Sequence, residues 1–167
     1  MADALRTVRK NTLQIAEEIP EAQYGFTPAP ECRSVARLLT HIALGIRFQQ
    51  DIHVEGLTQL AGYDFAALMQ RLREEEAKPR TKAEIIELLR RNGETWALWV
   101  EKRTDEFLAE RVHFPSDPPS SKSRFEMLLS TKEHEMHHRG QLMLIERMLG
   151  IIPHLTRERQ ARMQAQR

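Results

Sequence analysis

The sequence predicts an all-α fold: a four-helix bundle with a long connection between helices 2 and 3 and, as an option, a short C-terminal fifth helix. Only seven glycines occur among the 167 residues, and strand-like alternation is hard to find. Apolar residues recur at spacings of three and four along the long segments, which is the helical period. A chain of this length can bury one core, so residues 1–167 are interpreted as a single domain.

Ordinary start and stop signals bound the first two helices. Helix 1 is predicted from about Asp3 to Glu18, because its apolar residues fall on one stripe and Pro20 follows. A loop separates it from helix 2, which is predicted to begin after the N-cap Ser34 and to continue to about His53. His41 lies on the apolar stripe of this second helix.

Residues 54–80 form the long connection, which is predicted to contain a short helix from Asp64 to Glu76. Such a connection lets two long helices run parallel instead of antiparallel. Thr81 and Glu84 have the spacing of a capping box, and they open helix 3, which is predicted to continue to about Leu108.

The last part of the chain contains the longest predicted helix. The proline-rich segment FPSDPPSSKS is interpreted as a loop, and helix 4 is predicted from Ser121 to Leu149. Gly150 can take the left-handed conformation that ends helices, and Pro153 stops any continuation. Residues 154–167 are strongly basic and are predicted either as a fifth helix or as a solvated tail.

Composition argues against several classes of function. The chain has 25 Lys and Arg against 24 Asp and Glu, so no overall basic field favours nucleic acid as a partner. Cys32 is the only cysteine, which excludes an intramolecular disulfide and suits a reducing compartment. No signal-like segment and no run of about 18 apolar residues is present, so the protein is expected to be cytoplasmic and not membrane-spanning.

Three histidines occupy positions that face the predicted core. A lone histidine at such a position is usually a satisfied core residue. Here His134 and His138 lie four residues apart, so one helix face can present both imidazoles to one ion. His41 adds a third from helix 2, with Gly45 leaving room beside it. The inward stripe of helix 4 consists of Met127, Thr131, His134, His138, Leu142, Ile145 and Leu149.

These three imidazoles predict a site for one divalent metal ion with His41, His134 and His138 as ligands. Three protein ligands leave a coordination position for water or substrate, whereas closed structural sites usually fill all four. The arrangement therefore favours chemistry on a small molecule. His137 is displaced around the helix and is expected beside the site, not in it.

The remaining histidines and several neighbours receive other interpretations. The other three histidines, His53, His113 and His154, fall outside the inward stripes and are expected on the surface. Asn92 and Gln141 are interpreted either as orienting groups of the site or as buried amides paired with backbone.

A competing motif overlaps the metal site. The run from His134 to His138 also spells H-E-x-x-H, in which the histidines bind zinc and the glutamate is the general base of a peptidase. Glu135 is therefore a candidate catalytic residue only if the protein is a hydrolase. Leu144 stands where a metzincin has its third histidine, and no sheet is predicted that could bind an extended peptide.

Two runs of residues form a recognisable pattern. They are His134-Glu135-Met136-His137-His138-Arg139-Gly140-Gln141, followed by Arg147-Met148-Leu149-Gly150 and Pro153, and the earlier Ser34-Val35-Ala36-Arg37-Leu38-Leu39-Thr40-His41, entered through Pro28 and Pro30. In these runs the chain resembles the DinB-like (YfiT-like) superfamily of bacterial four-helix metalloproteins. The resemblance covers nearly the whole chain and implies His41, His134 and His138 as metal ligands, in agreement with their positions on the inward faces of the predicted helices.

The resemblance also implies a set of functions. The ion would be zinc, nickel or manganese. Some similar proteins transfer low-molecular-weight thiols such as bacillithiol, mycothiol or glutathione, and others carry only the label of metal-dependent hydrolase. The leading hypothesis is a metal-dependent thiol S-transferase acting on a small electrophile. A metal-dependent hydrolase and a non-catalytic metal-binding stress-response protein are the alternatives.

A homodimer is also expected. The Trp-bearing third helix and the apolar first helix offer more apolar surface than one thin bundle needs to cover, and pairing is common among proteins of the resembled superfamily.

Overall fold

The structure, a computed structural model, describes residues 1–118 and 120–166 and is a bundle of helices with one short hairpin. It confirms the predicted four-helix bundle. In chain order the elements are α1 (Ala2–Glu18), a 3₁₀ turn (Glu21–Gln23), α2 (Val35–Leu44), α3 (Arg47–Val54), α4 (Phe65–Ala77), α5 (Lys82–Glu101), α6 (Asp105–Ala109), β1 (Arg111–Phe114), β2 (Ser120–Ser123), α7 (Arg124–Met148) and α8 (His154–Ala165).

Four helices carry the core. α1 packs against α5 and α7, and α2 packs against the same two helices from the other side. α4, within the long connection, lies against α2. The burial of each large aliphatic side chain in this core contributes roughly 1.5–3 kcal/mol to stability. The largest buried cluster consists of Ile15, Ala16, Ile19, Tyr24, Val35, Leu38, Leu39, Ile42, Ala43, Ile85, Leu89, Leu142 and Ile145.

Several helix ends follow the capping rules. A capping box joins Thr81 and Glu84 at the start of α5, as predicted. A second capping box, between Ser123 and Glu126, starts α7 slightly later than the predicted Ser121. Gly150 adopts a φ of 78°, the left-handed conformation predicted at the end of this helix.

The predicted second helix is wrong in its extent, because it divides into α2 and α3. α2 ends at Leu44 with Gly45 as its C-cap, and α3 begins at Arg47. The predicted third helix is also too long. α5 ends at Glu101, and the side chain of Thr104 accepts a hydrogen bond from the Phe107 amide to cap a new short helix, α6.

A two-stranded antiparallel hairpin, β1 with β2, overlaps the segment FPSDPPSSKS, so the interpretation of that segment as a loop is wrong for Phe114 and for Ser120–Ser123. Arg111 pairs with Ser123, and Phe114 pairs with Ser120. Val112 is buried in a small cluster with Ile52 and Met127, which anchors the hairpin beside α7. Strands of four residues leave almost no periodic pattern in a sequence, which explains why the strands were not predicted.

The last helix decides an alternative that the sequence left open. Residues His154–Ala165 form a helix, the first of the two options for the basic segment. Trp96 and Trp99 stack in parallel within the chain, with ring centroids 4.9 Å apart. In the described part of the chain, no helix is long and apolar enough to cross a membrane.

Candidate metal centre

The structure brings His41, His134 and His138 together, as the sequence predicted. The ring of His41 lies 4.9 Å from that of His134 and 4.7 Å from that of His138, measured between centroids. One nitrogen from each ring can be chosen so that all three lie within 4.8 Å of one another. α2 supplies the first ring, and the four-residue spacing along α7 supplies the other two.

The C-cap of α2 makes space for this cluster. A Cβ atom at Gly45 would lie 2.6 Å from Cε1 and 2.8 Å from Nδ1 of His134, which is closer than real contacts allow. Glycine therefore lets the α2 backbone approach the imidazole. The room predicted beside His41 is therefore filled by the ring of His134.

Hydrogen bonds orient two of the rings. Nδ1 of His41 lies 2.5 Å from Oε1 of Glu76, and Nδ1 of His138 lies 2.8 Å from Oε1 of Gln141. Both oxygens can only accept, so each Nδ1 carries the proton and donates it. The tautomer then leaves a lone pair on Nε2 of each ring, which is the state that binds metal.

Nε2 of His41 lies 2.9 Å from Nε2 of His134. Without an ion, one of these nitrogens must carry a proton to avoid lone-pair repulsion. Two nitrogens bound to one tetrahedral zinc at 2.0–2.1 Å are roughly 3.3 Å apart, so a small adjustment would allow both to share an ion.

Burial favours the neutral form of the two imidazoles on α7. Burial, followed by the neighbouring imidazoles, lowers the pKa of His134 to about 4. Burial also lowers the pKa of His138, although the hydrogen bond to Gln141 opposes this effect. Burial by itself would raise the pKa of Glu76, but hydrogen bonds to His41 and Arg33 outweigh it and hold that pKa below its usual range. Imidazole nitrogens, with an ionised carboxylate hydrogen-bonded to one of the rings, are a donor set that fits a divalent cation.

Glu135 is held in a different part of the bundle. Its carboxylate accepts hydrogen bonds from Nε and Nη2 of Arg9 at 2.8 and 2.9 Å, and both side chains are buried. Another guanidinium nitrogen of Arg9 donates to the carbonyl of Leu89, so the ion pair joins α1, α5 and α7. Both oxygens of the H-E-x-x-H glutamate are thus engaged in a buried bidentate pair.

Two of the histidines expected on the surface are buried, and that expectation was wrong for them. His53 accepts a hydrogen bond from Arg124 and donates one to Gln49. His154 is buried at the start of α8. Each is covered by an element distant in sequence, which the stripe of its own helix does not reveal. His113 is exposed, as expected.

His137 lies outside the cluster. It is exposed, and its Nε2 accepts a hydrogen bond from the Gln141 side chain at 3.2 Å. Of the two amides with open interpretations, Gln141 orients His138, whereas Asn92 donates to the carbonyl of Ala43 at 3.0 Å.

Sequence reasoning missed Glu76 and Arg33. Glu76 is buried at the end of α4, where its Oε2 accepts a hydrogen bond from Nε of Arg33 at 3.0 Å. Its position in the run REEEA is typical of a solvated helix face, so the sequence carried no signal for its role. Only the packing of α4 on α2 brings this carboxylate to His41.

A pocket of about 340 Å³ adjoins the cluster, and His138 and Gln141 form part of its wall. A larger groove lies elsewhere, between α4 and α5, and contains none of the three histidines. The remaining pocket wall includes Cys32, Arg33, Leu38 and Ile145. A small molecule, but not a folded polymer, fits a space of this size.

The fold and the cluster together define a helical-bundle protein with a three-histidine site compatible with metal binding. The chain belongs to the DinB superfamily, which its sequence matches over residues 4–142. This finding confirms the family predicted from the histidine-containing runs.

Solved structures of two bacterial proteins have a similar fold. A DinB-like protein of Bacillus subtilis, YjoA, is 21% identical, with a TM-score of 0.66 over 89% of this chain and 91% of that one. YfiT of Bacillus subtilis, described as a probable metal-dependent hydrolase with an unusual four-helix bundle topology, is 18% identical, with a TM-score of 0.67 over 90% of this chain and 86% of that one. No curated protein matches the sequence significantly.

Proposed function

We propose that the protein is a metal-dependent enzyme that binds one divalent ion through His41, His134 and His138 and transfers a low-molecular-weight thiol to a small electrophile. The observation that carries the proposal is the convergence of three imidazoles, one of which, His138, lines a pocket sized for a small molecule. Three protein ligands leave a position that a substrate atom can occupy. The exposed free thiol of Cys32 suits a cytoplasmic location.

The chain's own residues prepare this site. Glu76 and Gln141 hold the His41 and His138 rings in the tautomer whose Nε2 can coordinate. Zinc, nickel or manganese bound there would supply Lewis acidity, which lowers the pKa of a thiol or of water. In the transfer, the thiol gives its proton to solvent water, sulfur forms a bond to the electrophilic carbon, and the leaving group departs with its electron pair.

The ion pair of Glu135 favours thiol transfer over a zincin-like hydrolysis. A general base must reach the proton that it removes, and this carboxylate is held by Arg9 inside the bundle. Thiol transfer needs no protein carboxylate as base, because the ion itself favours the thiolate.

Hydrolysis by metal-activated water remains the second candidate. The observation in its favour is the similarity in fold to YfiT, which is described as a probable metal-dependent hydrolase. It differs from the zincin mechanism because Glu135 would not be needed.

Metal binding is tested first, with the purified protein loaded in turn with zinc, nickel and manganese. About one ion per chain is expected, together with a higher melting temperature that a chelator reverses. Alanine at position 41, 134 or 138 should remove most of the metal. His137→Ala, the matched control on the same helix, should retain it, and an equal loss there would contradict the assigned ligand set.

The reaction is tested by measuring thiol conjugation and ester or peptide hydrolysis with metal content recorded. Glu135→Gln alone breaks a buried ion pair, so Arg9→Gln/Glu135→Gln, which removes both charges, is the second variant. Conjugation that survives in the double variant and vanishes in His138→Ala supports thiol transfer. Hydrolysis lost with Glu135 while metal stays bound would overturn it, and metal binding without turnover of any kind would favour a non-catalytic protein.

A further inference from the structure

Arg33 lies at the wall of the pocket beside the histidine cluster, and only part of its guanidinium is used. Its Nε donates to Oε2 of Glu76, whose side chain is 4% exposed, while the Arg33 side chain is 39% exposed. Among residues 1–118 and 120–166, no hydrogen bond or ion pair engages its two terminal nitrogens. Glu76 therefore holds the Nε side of the guanidinium, while the two terminal nitrogens can bind a ligand.

A guanidinium held in this way is prepared to bind an anion. Its planar fork matches the two oxygens of a carboxylate, and binding costs less conformational entropy because Glu76 already restrains the side chain. Glu76 accepts one hydrogen bond from Arg33 and one from His41, so both of its oxygens are engaged and neither is directed at a ligand in the pocket. Glu31, the acidic side chain among the pocket residues, is exposed.

The other pocket residues indicate which chemical group lies between the anionic end of a bound molecule and its end at the histidine cluster. Leu38 and Ile145 are apolar and suit a short hydrocarbon segment, while His138 lies in the same pocket. A molecule within about 340 Å³ can therefore reach Arg33 with one end and the histidine cluster with the other.

From this arrangement we infer that Arg33 forms a carboxylate subsite, so that the thiol substrate is a small molecule carrying a carboxylate several bonds from its sulfur. This inference rests on the proposed function for the identity of the sulfur end. It assigns Arg33 as the residue that selects acidic thiols over neutral ones.

Isothermal titration of the zinc-loaded protein with 3-mercaptopropanoate and with 3-mercaptopropanamide tests the inference. These thiols have nearly the same size and differ in charge. The acid should bind at least about tenfold more tightly than the amide, as a charge-assisted bidentate contact implies. In Arg33→Gln the ratio should fall to about one while the amide still binds, which separates loss of the subsite from a disturbance of His41 through Glu76.

Arg37→Gln is the matched control, because Arg37 is an exposed arginine four residues further along that does not line the pocket. It should keep the wild-type ratio. A wild-type ratio near one, or a ratio unchanged in Arg33→Gln, overturns the subsite. If neither thiol binds, the proposed thiol site fails, and propanoate then tests the subsite alone: binding to wild type and not to Arg33→Gln supports it, and no difference refutes it.

Discussion

We expect the substitution Gly45→Ala to weaken metal binding while the protein still folds. A methyl group there would lie 2.6 Å from Cε1 of His134. To restore ordinary contact at 3.4 Å the ring must move by about 0.8 Å, several times the roughly 0.2 Å tolerance of metal–ligand distances. The backbone at Gly45 is right-handed, with φ −59° and ψ −16°, so alanine fits its conformation.

Gly45→Ala should therefore lower the metal affinity more than it lowers the stability of the fold. The imidazole is the end of a side chain and can swing aside, so the metal-free variant should still fold. Zinc affinity should fall by about 10–100-fold, as for the loss of a group that orients a ligand. Competition with a chromogenic chelator measures the affinity, and circular dichroism measures the melting temperature of the metal-free protein.

Gly140→Ala is the matched control, because nothing lies within 4 Å of a Cβ placed at this exposed position in α7. It should leave zinc affinity unchanged and raise stability by about 0.5–1 kcal/mol, the usual gain from replacing glycine inside a helix. Wild-type zinc affinity in Gly45→Ala would refute the argument that this glycine makes room for His134.

Three further predictions concern stability and assembly. Glu135→Gln should lower the free energy of unfolding in urea by about 3–5 kcal/mol, because it leaves Arg9 buried without its partner, and a change under 1 kcal/mol would contradict this. Burial, followed by the charge of Arg124, lowers the pKa of His53 from 6.5 to about 4, so the unfolded chain binds more protons between these values. Stability should then fall as the pH is lowered from 6.5 towards 4, and His53→Gln should flatten that slope. The expected homodimer predicts a light-scattering mass near twice 19.5 kDa, and a mass of one chain would refute it.

The sequence by itself determined where the long helices begin and which three histidines come together, because both depend on local patterns. A spacing of four along α7 places His134 and His138 on one face whatever packs against it. His41 could be predicted because it lies on the apolar face of its own helix. Capping residues such as Thr81 mark the starts of helices to within one turn. These signals need no knowledge of distant contacts.

Only the tertiary structure decided what meets those residues. Glu76 comes to His41 from a helix 35 positions along the chain, and Arg9 reaches Glu135 across 126 positions. The first contact orients a ring of the candidate metal site, and the second withdraws the H-E-x-x-H carboxylate into a buried ion pair. No periodic pattern encodes either contact, because an acidic side chain on a helix has the same local signature whether it faces water, an imidazole or an arginine.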